Sequence, residues 1–444
     1  MNILVKWPTR QRPDLFLRTL RSWRRSSSGL HRVRYVISLD ADDPSMQQHH
    51  VARQLAAMPD VFVRTAAPEQ IGRSKIAACN ADIIQGARHW GMTPDILILA
   101  SDDMTPQTRG WDRLIAECMQ QHFPAMDGAV HFNDGYHGGE KLMTLPIMGW
   151  NLYRRFGYVY HPDYQSFYSD NELTEVARLL GKYNYQSQVI IRHDHIGRKP
   201  DELYRRNNAW WNQDQQVYTR RTSENFSVTA PILSILIASL EKRDRQLNGL
   251  LNELHRQIFS PCDPSDPCDP WNPKDLWAVE IHVSRDNGRD PVGAKRDALL
   301  RRARGKFICF IDDDDMVSPD YVGDILATIH RNPQAHCVVF AGRLEVDGRF
   351  AGPFDYSISH QRYFQQGNCY YRTPNHLCPV RRELALQVGF KPINCGEDTD
   401  FAARLYPLLK TEAPINESGT EKRKVLYIYR FSPTHTATQK RKCA

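Results

Sequence analysis

Four consecutive carboxylates, Asp312, Asp313, Asp314 and Asp315, follow directly on the apolar run Phe307 to Ile311. Negative charges crowded at the tip of a buried strand repel one another and lose hydration, so a cation is needed to offset them. Carboxylate oxygens are hard ligands, which points to Mg²⁺ or Mn²⁺ rather than to zinc or copper. The plain alternative is a solvated acidic loop. A second stretch argues against it: the apolar run Ile96 to Ala100 leads into Asp102 and Asp103, then Met104 and Pro106. Laying Asp102-Asp103-Met104 on Asp314-Asp315-Met316 separates the two copies by about half the chain, the signature of an internal duplication.

Further along each half, carboxylates open an amphipathic segment, in YSDNELTEVARLL (168–180) and in CGEDTDFAARLY (395–406). Superposing Ala177-Arg178-Leu179 on Ala403-Arg404-Leu405 puts Glu172 over Asp398. A carboxylate so placed can take a proton from an attacking hydroxyl, and it can equally well answer a helix macrodipole. Histidines close both halves after a strand, His193 and His195 in the first and His435 in the second. Each is an ordinary structural histidine or a ligand completing a metal shell. Trp210 and Trp211 offer a stacking surface for a sugar or base, or packing against the second half.

The elements that must position these groups read as strand, helix, strand, helix, strand. In the first half these are 3–13, ending Pro-Thr-Arg-Gln-Arg-Pro; 33–43, ending in Asp40, Asp42 and Asp43; a basic segment, 71–83, opened by Gly72; and then the acidic strand. In the second half 234–243 matches the first strand, with Arg243 over Arg12. The stretch 278–288 matches the second, with Asp286 over Asp40, and 292–305 matches the basic segment, with Gly293 over Gly72. That alternation predicts parallel sheets covered by helices, with ligands at the carboxyl ends of the strands. The polar stretch 220–231 reads as a linker, giving an N-terminal domain over 1–228 and a C-terminal domain over 229–444.

The chain has 444 residues, too many for one ordinary core, and 41% hydrophobic with 25% charged residues is the balance of a folded globular protein. A formal charge of +7 suits anionic ligands such as nucleotide diphosphates and permits nucleic acid. Apolar residues begin at Ile3 with no charged leader before them, and no run is long enough to span a membrane, so a cytoplasmic protein is expected. Cys262 and Cys268, in the repetitive CDPSDPCDPWNP, match no common zinc spacing.

Taken together, Asp286-Asn287-Gly288, Gly293 to Arg296, FIDDDD and Gly396-Glu397-Asp398 resemble glycosyltransferase family 2, and the same order recurs more faintly in the first half. The resemblance implies two tandem GT-A domains, Rossmann-like α/β units with a mostly parallel sheet and flanking helices, similar to phage-type enzymes. It implies an inverting transfer from a nucleotide-sugar donor such as a UDP-sugar, with Mn²⁺ or Mg²⁺. Donor-binding positions would be Thr9, Arg10, Arg12, Asp40, Arg73 and Lys75 in the first half. In the second they would be Ser239, Arg243, Asp286, Lys295, Arg296, Asp312 and Asp313. The cation would sit on Asp102, Asp103 and His195, and on Asp314, Asp315 and His435; the base would come from Asp398 with Glu397, and from Glu172 with Asp170. The first half departs from the pattern, with Ala100-Ser101-Asp102 where the second has Asp312-Asp313-Asp314. It is therefore either a second active domain or a binding module. The acceptor is a glycan or, in a viral setting in the host cytoplasm, a hydroxylated base in DNA. A sugar nucleotidyltransferase would need a glycine-rich phosphate loop after the first strand, and neither Trp7-Pro8-Thr9 nor Ala238-Ser239-Leu240 is one. A non-enzymatic nucleic-acid-binding protein is the remaining class.

Overall fold

The computed structural model describes residues 1–137, 139–194, 201–258 and 278–431. Two compact units account for them, Met1–Val228 and Thr229–Ala444.

The first unit holds β1 (Asn2–Thr9), β2 (Arg32–Leu39), β3 (Val61–Thr65), β4 (Ile96–Leu99), β5 (Met104–Pro106), β6 (Ala129–Phe132), β7 (Ile147–Gly149), β8 (Tyr183–Gln186) and β9 (Ile191–His193). Its main sheet runs β3-β2-β1-β4-β7-β6-β8, while β5 and β9 form a separate antiparallel pair. The first four strands of that order are mutually parallel, β7 is antiparallel to β4 and β6, and β8 is parallel to β6. Parallel strands are covered on both faces, which is why β1 and β4 are almost wholly buried and apolar. Beneath the sheet Trp7, Phe16, Trp23 and Trp111 meet edge to face, with centroids 4.8 to 5.7 Å apart.

The second unit contains β10 (Leu233–Leu240), β11 (Val279–Asp286), β12 (Phe307–Phe310), β13 (Met316–Val317), β14 (Cys337–Val339), β15 (Ala341–Val346), β16 (Arg349–Tyr356), β17 (Phe364–Gln366), β18 (Cys369–Arg372), β19 (Val380–Arg381), β20 (Glu412–Pro414) and β21 (Val425–Phe431). Its first sheet is ordered β11-β10-β12-β19-β14-β20. Strand for strand, with the same parallel and antiparallel senses, this is β2-β1-β4-β7-β6-β8 of the first unit. The antiparallel pair β13–β21 likewise repeats β5–β9, here as the edge of a second sheet, β13-β21-β15-β16-β18-β17. The duplication read in the sequence is thus a duplication of topology. The first unit adds β3 and the second adds the hairpin strands β15 to β18.

Register corrects the sequence alignment by one residue. Lys6 lies opposite Leu99 and Leu236 lies opposite Phe310. With these rows matched, Ser101 falls on Asp312, Asp102 on Asp313 and Asp103 on Asp314. Side-chain contacts agree: Thr9 Oγ1 donates to Asp102 (3.0 Å) as Ser239 Oγ donates to Asp313 (2.6 Å). The shared Met104 and Met316 had drawn the alignment off, because the second unit carries one extra residue before its methionine.

The stretch 220–231 is not a linker throughout. Helix Trp211–Ser223 runs through its first residues, and Arg221 is buried. Helical periodicity is hard to see there because this helix hides one narrow face holding Asp214 and Arg221.

Candidate active sites

In the second unit the carboxyl ends of β10, β11 and β12 converge. Helix Val292–Arg302 supplies two buried cations to them. Lys295 Nζ reaches Asp286 (2.7 Å) at the end of β11 and the Ser239 carbonyl (2.8 Å) at the end of β10. Arg296 spans Asp312 (2.7 Å) and Glu397 (2.9 Å), with its guanidinium 5.9 Å from the Phe310 ring centroid. The helix can come this close because residue 293 is glycine: a Cβ there would lie 1.9 Å from the Lys391 carbonyl oxygen. That contact draws in the loop leading to helix Glu397–Leu405, and Gly396 turns into the helix with φ +81°.

The four aspartates separate by role. Asp313 is buried and accepts from Ser239 and from Arg243 (2.6 Å). Asp315 is also buried, its oxygens taken by the Tyr427 hydroxyl (2.7 Å) and the Arg430 amide (2.7 Å). Asp315 therefore fastens β21 to the acidic loop, and its expected place as a metal ligand is corrected. Asp312 and Asp314 keep side-chain exposures of 30% and 27%. Burial raises the Asp314 pKa to about 6, the neighbouring Asp313 and Asp312 adding to it and Arg243 opposing. Asp314 also lies 3.1 Å from Arg243, and it and Asp312 are the partly exposed carboxylates of the four, with hard-oxygen chemistry that fits a divalent cation.

Glu397 and Asp398 also divide. Glu397 is buried in its ion pair with Arg296, so it orients that arginine and does not serve as a base. Asp398 is only partly buried and accepts from the amide of Thr399 (2.8 Å). His435 lies outside the described residues.

The first unit presents a cavity of about 250 Å³ at the equivalent strand ends. Thr9, Arg10, Arg12, Asp40, Arg73, Lys75, Asp102, Asp103 and Asp170 all line it. Asp40 is bridged by Arg73 (2.6 Å) and Arg10 (3.0 Å), so Arg73 does for β2 what Lys295 does for β11. Arg12 reaches Asp201 (2.7 Å), which caps helix Glu202–Asn208 and brings Tyr204 and Arg206 to the rim.

Glu172 is not in this cavity. Its two oxygens pair with Arg221 (2.6 and 2.7 Å) and one also accepts from Tyr164 (2.8 Å), all in the interior. The expectation of a base at Glu172 is therefore corrected, and the reason is again alignment. Helix Ser169–Leu179 follows Tyr168 at φ +61°, as helix Glu397–Leu405 follows Gly396 at φ +81°. Matching these left-handed caps puts Asp170, not Glu172, on Asp398. Helix Trp211–Ser223 holds the approach, with buried Asp214 accepting from the amides of Gln165, Ser166 and Phe167 at 2.7 to 2.9 Å. The Trp211 ring packs on Phe167 and Tyr168, centroids 4.9 and 5.0 Å away.

Asp102, expected as a ligand, accepts from Trp7 Nε1 (2.8 Å) and Thr9 with both oxygens. Burial lifts its pKa to about 7, against the pull of those donors and of Arg12. Asp103 is the carboxylate beside a histidine, 3.4 Å from His193 Nε2. Burial would raise Asp103, but hydrogen bonding and charge from His193 prevail and hold it well below the usual carboxylate range. His193 is lifted to about 9 against burial by Asp103 and Asp134. Two residues the sequence reading passed over complete this corner: Asp134 and His137, whose Asp-x-x-His spacing after a strand was the available signal. Ligand atoms of Asp134, His137 and His193 all lie within 4.8 Å of one another. His195 lies outside the described residues.

Residues 277–382, the stretch from β11 to β19, match the family model "Glycosyl transferase family 2". The second unit carries a glycosyl transferase family 2 domain. The matched stretch contains Asp286, Lys295, Arg296 and all four aspartates, and Asp398 follows it in the same unit. No curated protein matches the chain. Among solved structures, residues 1–349 of S. aureus TarS are 18% identical at a TM-score of 0.30, over 45% of this chain and 60% of that one. The same fragment in complex with UDP is 19% identical at 0.31, over 45% and 61%. The Pyrobaculum calidifontis mannosyltransferase PcManGT, in complex with GDP-Man and Mn²⁺, is 16% identical at 0.35, over 46% and 58%. The chain thus spans about 60% of the length of the structures it resembles. Among the described residues no helix is long and apolar enough to cross a membrane.

Proposed function

We propose that this protein is a metal-dependent, inverting glycosyltransferase with a nucleotide-sugar site in each of its two GT-A units. The observation that carries the reading is the repetition of one arrangement. A hydroxyl at the end of the first strand bonds an aspartate of the acidic loop, and an aspartate follows a left-handed cap at the start of the later helix. The family match supports it for the second unit.

In this reading Asp398 takes the proton from an acceptor hydroxyl as its oxygen bonds to the anomeric carbon. The bond from that carbon to the diphosphate oxygen breaks, and the nucleoside diphosphate departs with the electron pair. Lys295 and Arg296 are held rigid by carboxylates at two strand ends, so their charge is in place before the leaving group develops its own. Asp314, assisted by Asp312, would hold a divalent cation, which supplies charge stabilisation to the departing diphosphate. Asp170 would be the base of the first unit. The acceptor carries a hydroxyl, on a glycan or on a hydroxylated base in DNA; the +7 charge suits the latter.

The test is a panel of UDP-, GDP- and other nucleotide-sugars assayed for hydrolysis and transfer with Mn²⁺ or Mg²⁺. Wild type should consume at least one donor, and Asp398→Asn should lower turnover on a second-unit donor by about 10²–10⁴-fold with donor binding retained. Absence of turnover on every donor, with glycan and hydroxymethylated duplex acceptors present, would overturn the reading. A steep fall of duplex binding with added salt would point to DNA.

A further inference from the structure

The two units differ in the chemistry they offer a cation. Among the described residues of the second unit, the partly exposed groups of the acidic loop are the carboxylates Asp312 and Asp314. In the first, buried Asp134, two residues past β6, meets His137 in the following turn and His193 on β9, and both histidines line one corner of the cavity. We propose that these three residues, with Asp103 as a fourth neighbour, form a mixed imidazole and carboxylate site for a transition-metal dication. The site adjoins Asp103, and the ligands it adds, Asp134, His137 and His193, come from other strands and turns than the aspartates of the family pattern.

Three observations carry it. Their ligand atoms are mutually within 4.8 Å, the spread of groups around one ion. The corner opens to the cavity, since Asp103, His137, His193 and Thr144 all line it, and His137 keeps 30% of its side chain exposed as an entry path. Asp134, finally, is held as a metal carboxylate is held. It accepts from the amides of Tyr136 and His137 (2.8 Å each) and from Thr144 Oγ1 (2.8 Å), so its position is set by a tight turn. His137 Nδ1 lies 2.8 Å from Asp134 and His193 Nδ1 lies 3.7 Å from it, with Asp103 on the other nitrogen of His193 at 3.4 Å. Two imidazoles and one or two carboxylates favour Mn²⁺, Co²⁺ or Zn²⁺ over Mg²⁺, which prefers oxygen and water. The first unit should therefore favour Co²⁺ or Zn²⁺, whereas the hard oxygens of the second suit Mg²⁺ or Mn²⁺. That the ion would face a donor diphosphate rests on the reading of the cavity as a nucleotide-sugar site; binding of the ion does not.

The experiment uses the full chain with Co²⁺ and no donor. Visible absorption bands of nitrogen-ligated Co²⁺ should appear at one ion per chain. They should be lost in His137→Ala and His193→Ala, and kept in Asp314→Ala, with melting of the metal-free variants confirming that each is folded. Mg²⁺ at tenfold excess should leave the bands in place. Absence of the bands in wild type, or their persistence in both histidine variants, would overturn the site. Adding UDP or GDP then tests the nucleotide reading separately: a change in the Co²⁺ bands supports a shared site, while unchanged bands leave the metal site standing and count against a donor diphosphate there.

Discussion

Replacing Glu172 by glutamine separates a structural from a chemical role at the position the sequence favoured as a base. Both oxygens of Glu172 face Arg221, at 2.6 and 2.7 Å, and side-chain exposures are 5% for the glutamate and 8% for the arginine. Removing one partner of a buried pair leaves the other charge uncompensated, a loss of about 3–5 kcal/mol. In a unit of this size about 1 kcal/mol shifts the melting temperature by roughly 2–4 °C, so the first unit should melt roughly 6–20 °C lower. Below that transition, turnover by the first unit should stay within about threefold of wild type, because Glu172 does not line the cavity. Asp170→Asn should do the reverse, with melting nearly unchanged and turnover down by about 10²–10⁴-fold. Differential scanning calorimetry and a donor-turnover assay on the two variants check both halves of the statement. An unshifted transition with abolished turnover in Glu172→Gln would refute the assignment.

Other expectations follow from particular contacts. Arg296→Met removes the bridge between Asp312 and Glu397, so second-unit turnover should fall by about 10²-fold, more through kcat than KM. Gly293→Ala places a methyl group 1.9 Å from the Lys391 carbonyl and should cost about 1–3 kcal/mol while displacing the loop that delivers Asp398, read as a lower melting temperature together with a lower kcat. Asp314, raised from 3.8 to about 6, binds a proton in the folded unit that the unfolded chain has released across that window. Its contribution to stability should thus grow as the pH falls through 6 toward 3.8 and vanish in Asp314→Asn. Over the same interval protons compete with the cation, so Mn²⁺ affinity of the second unit should weaken as the pH drops below about 6.

The order of elements was legible because parallel strands are buried on both faces and print as apolar runs, and because carboxylates gather where those runs end. Family resemblance then named the chemistry of the second unit. What the sequence obscured was register. Met104 and Met316 look alike, yet one extra residue precedes the second, and Leu179 and Leu405 end their shared triplets at different depths in their helices. A two-residue slip put Glu172 where Asp170 belongs. Nothing in a string of letters tells a carboxylate buried against arginine, such as Glu172, Asp313 or Glu397, from one left partly exposed, such as Asp398. That distinction comes from the strand and helix packed on the other side. Asp134 and His137 were missed for a related reason: they lie on an excursion after β6 whose counterpart in the second unit is a longer hairpin sheet, so comparing the halves did not reveal them.

The claim that both units carry out transfer is tested most directly by counting sugars on the acceptor. Intact-mass spectrometry of the product, formed by wild type, Asp170→Asn and Asp398→Asn from the same donors, should show two successive additions for wild type. Each variant should lose at least one of the two, and the double variant both. If Asp170→Asn forms the same product at the same rate as wild type, the first unit is a binding module and the two-site account fails.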